Sequence, residues 1–135
     1  MTTNRAQDAG FTLIELLVVM IVIGILAAIA VPIFLNQRQS AYRTTAVTDM
    51  RGAASSVETY AASQDGAYTG LDGETENSSL LQAEGMRTSQ WSHLIVRVTG
   101  NAYCIEGRHN ELPGKTLIYR NGTGVIQILG AGATC

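Results

Sequence analysis

From residue 16 to residue 35 the chain has no charged side chain and no strongly polar one, only Leu, Val, Ile, Met and Ala with single Gly24, Pro32 and Phe34. A bilayer core takes about 20 apolar residues in a helix. A helix apolar on every face needs surroundings that a chain of 135 residues cannot supply. A cleavable secretory signal is the other candidate, and Ala28-Ile29-Ala30 has the small-residue character of a cleavage site. The apolar run nevertheless continues through Val31, Ile33, Phe34 and Leu35, past any usual signal core. We read it as a retained membrane helix.

Beyond residue 35 polarity changes and helical spacing persists. Tyr42, Ala46, Met50, Ala53, Val57 and Tyr60 recur at intervals of four and three, one stripe of an amphipathic helix. Arg43, Thr44, Thr48, Arg51, Ser55 and Glu58 fall on the opposite, water-facing side. No stop signal appears before residues 63–66, so a single helix is predicted over residues 11–62. Its first half is apolar all round, and its second half needs a partner to cover one side. Pro32 removes a backbone donor, at about 3 kcal/mol in a water-exposed helix, and less in a membrane, where such breaks are tolerated. With Gly24 it marks a soft stretch, expected either as a static kink or as a bend that melts locally.

Asp65-Gly66 and Asp72-Gly73 begin turns, and residues 63–77 read as a loop. Residues 78–85 contain a short helical turn with Leu80 and Leu81. Four short strands follow, over residues 93–98, 102–106, 116–119 and 124–129, separated by Gly100-Asn101, Pro113-Gly114 and Asn121-Gly122. The expected fold class is α+β: a long N-terminal helix whose second half packs on a small antiparallel sheet of four strands. Trp91, Tyr68 and Tyr103 are assigned to the core by default.

Composition narrows the function. Net charge is −2, with no clustered basic excess, so nucleic-acid binding has no footprint here. His93 and His109 do not form an H-x-x-x-H pair, and His109-Asn110-Glu111 is read as a solvated loop. Asp65, Asp72, Glu74 and Glu76 fail the EF-hand spacing and are also read as solvated. We expect no metal, no cofactor and no enzymatic activity. Asn77-Ser78-Ser79 and Asn121-Gly122-Thr123 fit a glycosylation sequon, a weak signal in any chain.

One acid breaks the apolar pattern at its edge: Glu15, within Phe11-Thr12-Leu13-Ile14-Glu15-Leu16-Leu17. A carboxylate is costly there, on the order of 2–3 kcal/mol at a membrane helix centre and less near the interface, so it has a partner or a task. Either the positive end of the helix dipole favours it or it awaits a cation on another chain. Gly10-Phe11-Thr12-Leu13-Ile14-Glu15, followed by the apolar helix, resembles the processing site of type IV pilins and their pseudopilin relatives. The resemblance is specific over residues 9–39, where Gly24 and Pro32 also match helix-loosening positions of that family. A leader with one Arg and one Asp departs from its more basic norm.

The resemblance implies a set of roles. A prepilin peptidase would remove residues 1–10 as a leader by cutting between Gly10 and Phe11, and would methylate the new Phe11 amine. Residues 11–35 would form the membrane and assembly half of the helix, residues 36–62 its amphipathic half, and residues 63–135 the globular part. Glu15 would neutralise the Phe11 amine of a neighbouring subunit. Pairing two charges in low dielectric offsets their desolvation, so this pair sets register more than it stabilises. Implied partners are further copies in a helical filament, the peptidase, an assembly platform with its ATPase, and the cytoplasmic membrane before assembly. Flanking charge gives no orientation, since Arg5 and Asp8 precede the run and Arg38 and Arg43 follow it. Cys104 and Cys135, outside any C-x-x-C pair, fit one disulfide on an exported domain better than two buried thiols. Such a bond would contribute about 3–4 kcal/mol in the chain-entropy model and would put the C-terminal part outside. The implied function is a pilus subunit. The alternatives are a pseudopilin of a secretion system, a competence pilus subunit, and a single-pass membrane protein that binds a partner without polymerising.

Overall fold

The computed structural model describes residues 10–90 and 92–135. The expected leader, apart from Gly10, and Trp91 lie outside the described residues. The elements are α1 (Leu13–Ser63), α2 (Ser79–Ala83), β1 (Ser92–Thr99), β2 (Ala102–His109), β3 (Lys115–Arg120) and β4 (Ile126–Gly130). The chain forms two compact units, the first ending at Gln37 and the second running Arg38–Cys135.

In the first unit α1 passes through Gly24 and Pro32 with its helical assignment intact. In the second unit its remaining turns bury Ala46, Met50, Ala53, Val57 and Ala61, while Arg43, Thr44, Thr48, Arg51, Ser55 and Glu58 stay exposed. The sheet is an antiparallel meander in the order β1-β2-β3-β4. Its register aligns Val96 with Ile105, Ile105 with Tyr119, and Tyr119 with Ile126. Leu94, Val96, Ile105 and Leu117 join Met50 and Val57 in one core, which Leu71 and Leu81 close from the loop and α2. Tyr103 belongs to this core, and Tyr68 packs against it half-buried. Gly100 takes φ 60° at the β1–β2 turn, a left-handed conformation that glycine adopts without steric cost.

The short helical turn expected over residues 78–85 is α2, which Ser78 caps by accepting the Leu81 N–H; of its two leucines Leu81 is buried and Leu80 exposed. Other expectations need correction. In β4 only Ile126 reaches the core, and Ile128 and Leu129 remain exposed. A helix about 10–12 Å across cannot cover four strands spaced about 4.8 Å apart. His109 is not in a solvated loop: strand pairing with Ser92 carries β2 to His109, which is buried with its ring 5.4 Å from that of Tyr42.

The acidic loop is likewise structural. Asp72 Oδ1 accepts the Val98 N–H (2.9 Å), the Glu74 carbonyl accepts the Val96 N–H (2.8 Å), and Glu76 Oε2 accepts the Leu94 N–H (3.0 Å). Gly73 N–H returns a bond to the Val96 carbonyl. Three alternate donors on the free edge of β1 are thereby satisfied, which removes a template for unwanted strand pairing. Glu76 Oε1 lies 2.9 Å from His93 Nδ1. Burial alone would raise the Glu76 pKa; the bonds from Leu94 and His93 outweigh it and hold this carboxyl below its ordinary value.

Candidate functional site

The segment from Gly10 to Glu15 opens the first unit. Gly10, Phe11 and Thr12 precede α1, and Thr12 caps it. Its carbonyl accepts the Leu16 N–H, and its hydroxyl oxygen accepts the Glu15 N–H at 3.3 Å. In return Glu15 Oε2 accepts the Thr12 N–H at 3.0 Å and the Thr12 hydroxyl at 2.8 Å. This reciprocal arrangement is a capping box, which satisfies helix-terminal donors and sets a negative charge at the positive end of the helix dipole. The T-x-x-E spacing of Thr12 and Glu15 is its sequence signal. Among the described residues, Glu15 Oε1 accepts no hydrogen bond.

Around this carboxylate the surface is apolar. Large apolar side chains from Phe11 to Leu35 are exposed by between 49 % (Val22) and 87 % (Leu13) of their area. Phe11, Ile14, Leu16, Val18 and Val19 surround Glu15 as an open apolar depression. The segment after Leu13 is long and apolar enough to cross a membrane. A continuous apolar surface of this extent marks membrane or protein contact.

In the second unit Cys104 and Cys135 form a disulfide with Cα atoms 6.0 Å apart. Cys135 N–H also donates to Glu106 Oε1 at 3.0 Å, holding the last residues against β2. Asp49, absent from the sequence reading, is buried on α1 and accepts three bonds: from Ser89 N–H (3.0 Å), Ser89 hydroxyl (2.6 Å) and Ser92 hydroxyl (2.5 Å). Tyr103 is flanked by Tyr68 and Tyr119 at ring distances of 4.9 and 5.9 Å, and burial, followed by nearby Glu58, pushes its phenol pKa far up. No group of three or more His, Cys, Asp or Glu among the described residues is placed to hold a metal.

Residues 5–31 match the family described as the prokaryotic N-terminal methylation motif. The chain is 41 % identical over 57 residues to the type II secretion system core protein G of Pseudomonas aeruginosa, covering 42 % of this chain and 40 % of that one. It is 36 % identical over 92 residues to the fimbrial protein EcpB of Eikenella corrodens, covering 66 % and 57 % of the two chains. It is 32 % identical over 103 residues to the type IV wide pilus major component PilA4 of Thermus thermophilus, covering 75 % and 73 %. The chain therefore spans about two fifths of the secretion protein and somewhat over half of the fimbrial one. No solved structure matches it significantly.

Proposed function

This chain belongs to the type IV pilin family, pseudopilins included, and from that premise we propose that it is a structural subunit of a type IV pilus-like surface filament. The observation that carries the reading is the divided Glu15 carboxylate. One oxygen is held by its own Thr12, and the other faces outward from a fully exposed apolar helix. A cation from a second copy would find this second oxygen without a hydrogen bond among the described residues.

The remaining steps follow the same logic. Cleavage between Gly10 and Phe11 would create an amine next to the capping box, and methylation would leave it charged. That amine on one copy would meet Glu15 Oε1 on the next, while neighbouring helices cover residues 11–35. Before assembly the same residues would sit in the cytoplasmic membrane as a single pass, with the disulfide-bearing domain outside. Gly24 and Pro32 would loosen the packed helix, residues 36–62 would serve as its amphipathic half, and residues 63–135 would form the subunit surface. The peptidase and the assembly platform with its ATPase are the partners this route requires. We infer a structural role and no catalysis.

A pseudopilin of a secretion system is the second reading, favoured by the similarity to core protein G over 57 residues. The longer alignment with the wide pilus component, 103 residues, extends into the sheet domain and favours the pilus. Mass spectrometry of sheared surface material tests both. A mature N-terminus at methylated Phe11 in purified filaments is the expected result. An intact Met1, a cut after Ala30, or a chain found only as dispersed membrane protein would overturn it.

A further inference from the structure

On the sheet face turned away from α1, strand register places Arg97 of β1 opposite Cys104 of β2, and Cys104 opposite Arg120 of β3. Two arginines thus stand in one row on either side of the disulfide. They line an open cleft of about 340 Å³ whose other walls are Thr99, Tyr103, Gly122 and Cys135. No Asp or Glu side chain lines it, although the chain as a whole is net negative. The closest acid, Glu106, has Oε1 at 3.9 Å from Arg97 Nε and already accepts the Cys135 N–H through that oxygen.

Arg97 has only the long contact with Glu106, and part of the cleft's donor set is uncommitted. Among the described residues neither guanidinium donates a hydrogen bond, whereas Arg38 and Arg87 are committed to Tyr42 and to backbone carbonyls. In the β3–β4 turn the N–H groups of Asn121, Thr123 and Gly124 are bonded to carbonyls, and that of Gly122 is taken up by no described acceptor. Guanidinium forks match tetrahedral oxyanions in charge and geometry, and free turn N–H groups add fixed donors. The cleft exceeds a bare ion and reaches the lower end of small-molecule site sizes, about 300 Å³. The disulfide supplies an apolar wall beside the cations.

We propose that this cleft is an oxyanion site that takes the phosphate group, free or as the monoester of a small molecule, with Arg97 and Arg120 as its charged clamps. The test is an NMR titration of the full chain in neutral detergent micelles, at physiological ionic strength, with inorganic phosphate and separately with glycerol 3-phosphate. The expected result is saturable shifts of the Gly122 amide and the two arginine Nε–H groups. Affinity should fall about tenfold in Arg97→Gln and in Arg120→Gln, and be unchanged in Arg43→Gln, outside the cleft. Tighter binding of the ester assigns the site to phosphorylated small molecules, and equal binding assigns it to the free ion. Unsaturable shifts with both probes, or equal loss in Arg43→Gln, would overturn the proposal.

Discussion

The Ser92 hydroxyl donates to Asp49 Oδ2 at 2.5 Å across 43 residues of sequence, tying the first residue of β1 to the second half of the helix it packs on. Ser89 adds two more bonds to the same oxygen, so a buried carboxylate is satisfied wholly by neutral donors. Replacing Asp49 by Ala strands these donors in a dry site, where bonds to a charged acceptor are worth about 1.5–3 kcal/mol each and are not additive. We expect Asp49→Ala to cost about 3 kcal/mol and Asp49→Asn about 1 kcal/mol. Urea unfolding followed by near-ultraviolet circular dichroism checks this. Equal stability of Asp49→Ala and the parent chain would mean that the serines find other partners.

Why was this latch not legible in the sequence? The helix and strands were, because the stripe Ala46, Met50, Ala53, Val57 and the alternation Leu94, Val96 each record a single element facing a single core. Asp49 lies beside that stripe, and an acid in a helix reads as solvent-facing unless its partner is known. Its partners sit in a loop and a strand start 40 and 43 residues away, which local periodicity cannot reveal. The bonds of Asp72 and Glu76 to β1 are illegible for the same reason, since nothing local shows that a strand edge runs alongside them, although Asp72 stays exposed as expected. His109 was judged by the turn after it, whereas its burial depends on Tyr42. At the candidate assembly segment Glu15 was legible, and its division between Thr12 and open solvent was not.

The Glu76 contacts make stability pH-dependent. Its folded pKa lies below the ordinary glutamate value of about 4.3. A depressed acid contributes its full stabilisation above the unfolded pKa and loses it as pH falls through the lower folded value. Glu76→Gln should therefore be about 1 kcal/mol less stable at pH 7 and show a shallower loss below about pH 4. Thermal melts between neutral and acidic pH measure both. Parallel acid limbs for variant and parent would show that other carboxylates set the acid sensitivity.

The two functions of Glu15 are separable by mutation. Thr12→Ala removes the cap hydroxyl, at about 1 kcal/mol to the helix start, and leaves Glu15 Oε1 untouched. Glu15→Gln keeps an acceptor for Thr12 and discards the charge. Thr12→Ala should enter filaments nearly as well as the parent chain, and Glu15→Gln should be excluded as strongly as Glu15→Ala. Immunoblots of sheared filaments against total membrane protein give the ratio. Equal incorporation of Glu15→Gln and the parent chain would leave the cap as the whole role of this residue.

Gly107 leaves room on the sheet for Met50 of the helix. A Cβ placed there would stand 2.5 Å from Met50 Cε and 3.0 Å from Leu94 Cδ2, and Met50 is fully buried with no solvent side to swing toward. Overpacking of this kind costs about 1–3 kcal/mol, so Gly107→Ala should destabilise by that amount. Met50→Ala alone should cost about 2–5 kcal/mol through its cavity. In the double variant the added methyl enters the space that Met50 vacates, and the combined loss should fall short of the sum by about 1 kcal/mol or more. Chemical denaturation of the four proteins closes the cycle. Strict additivity would show that Met50 shifts at no cost when Gly107 is filled, and that the absence of a side chain at this position serves the backbone alone.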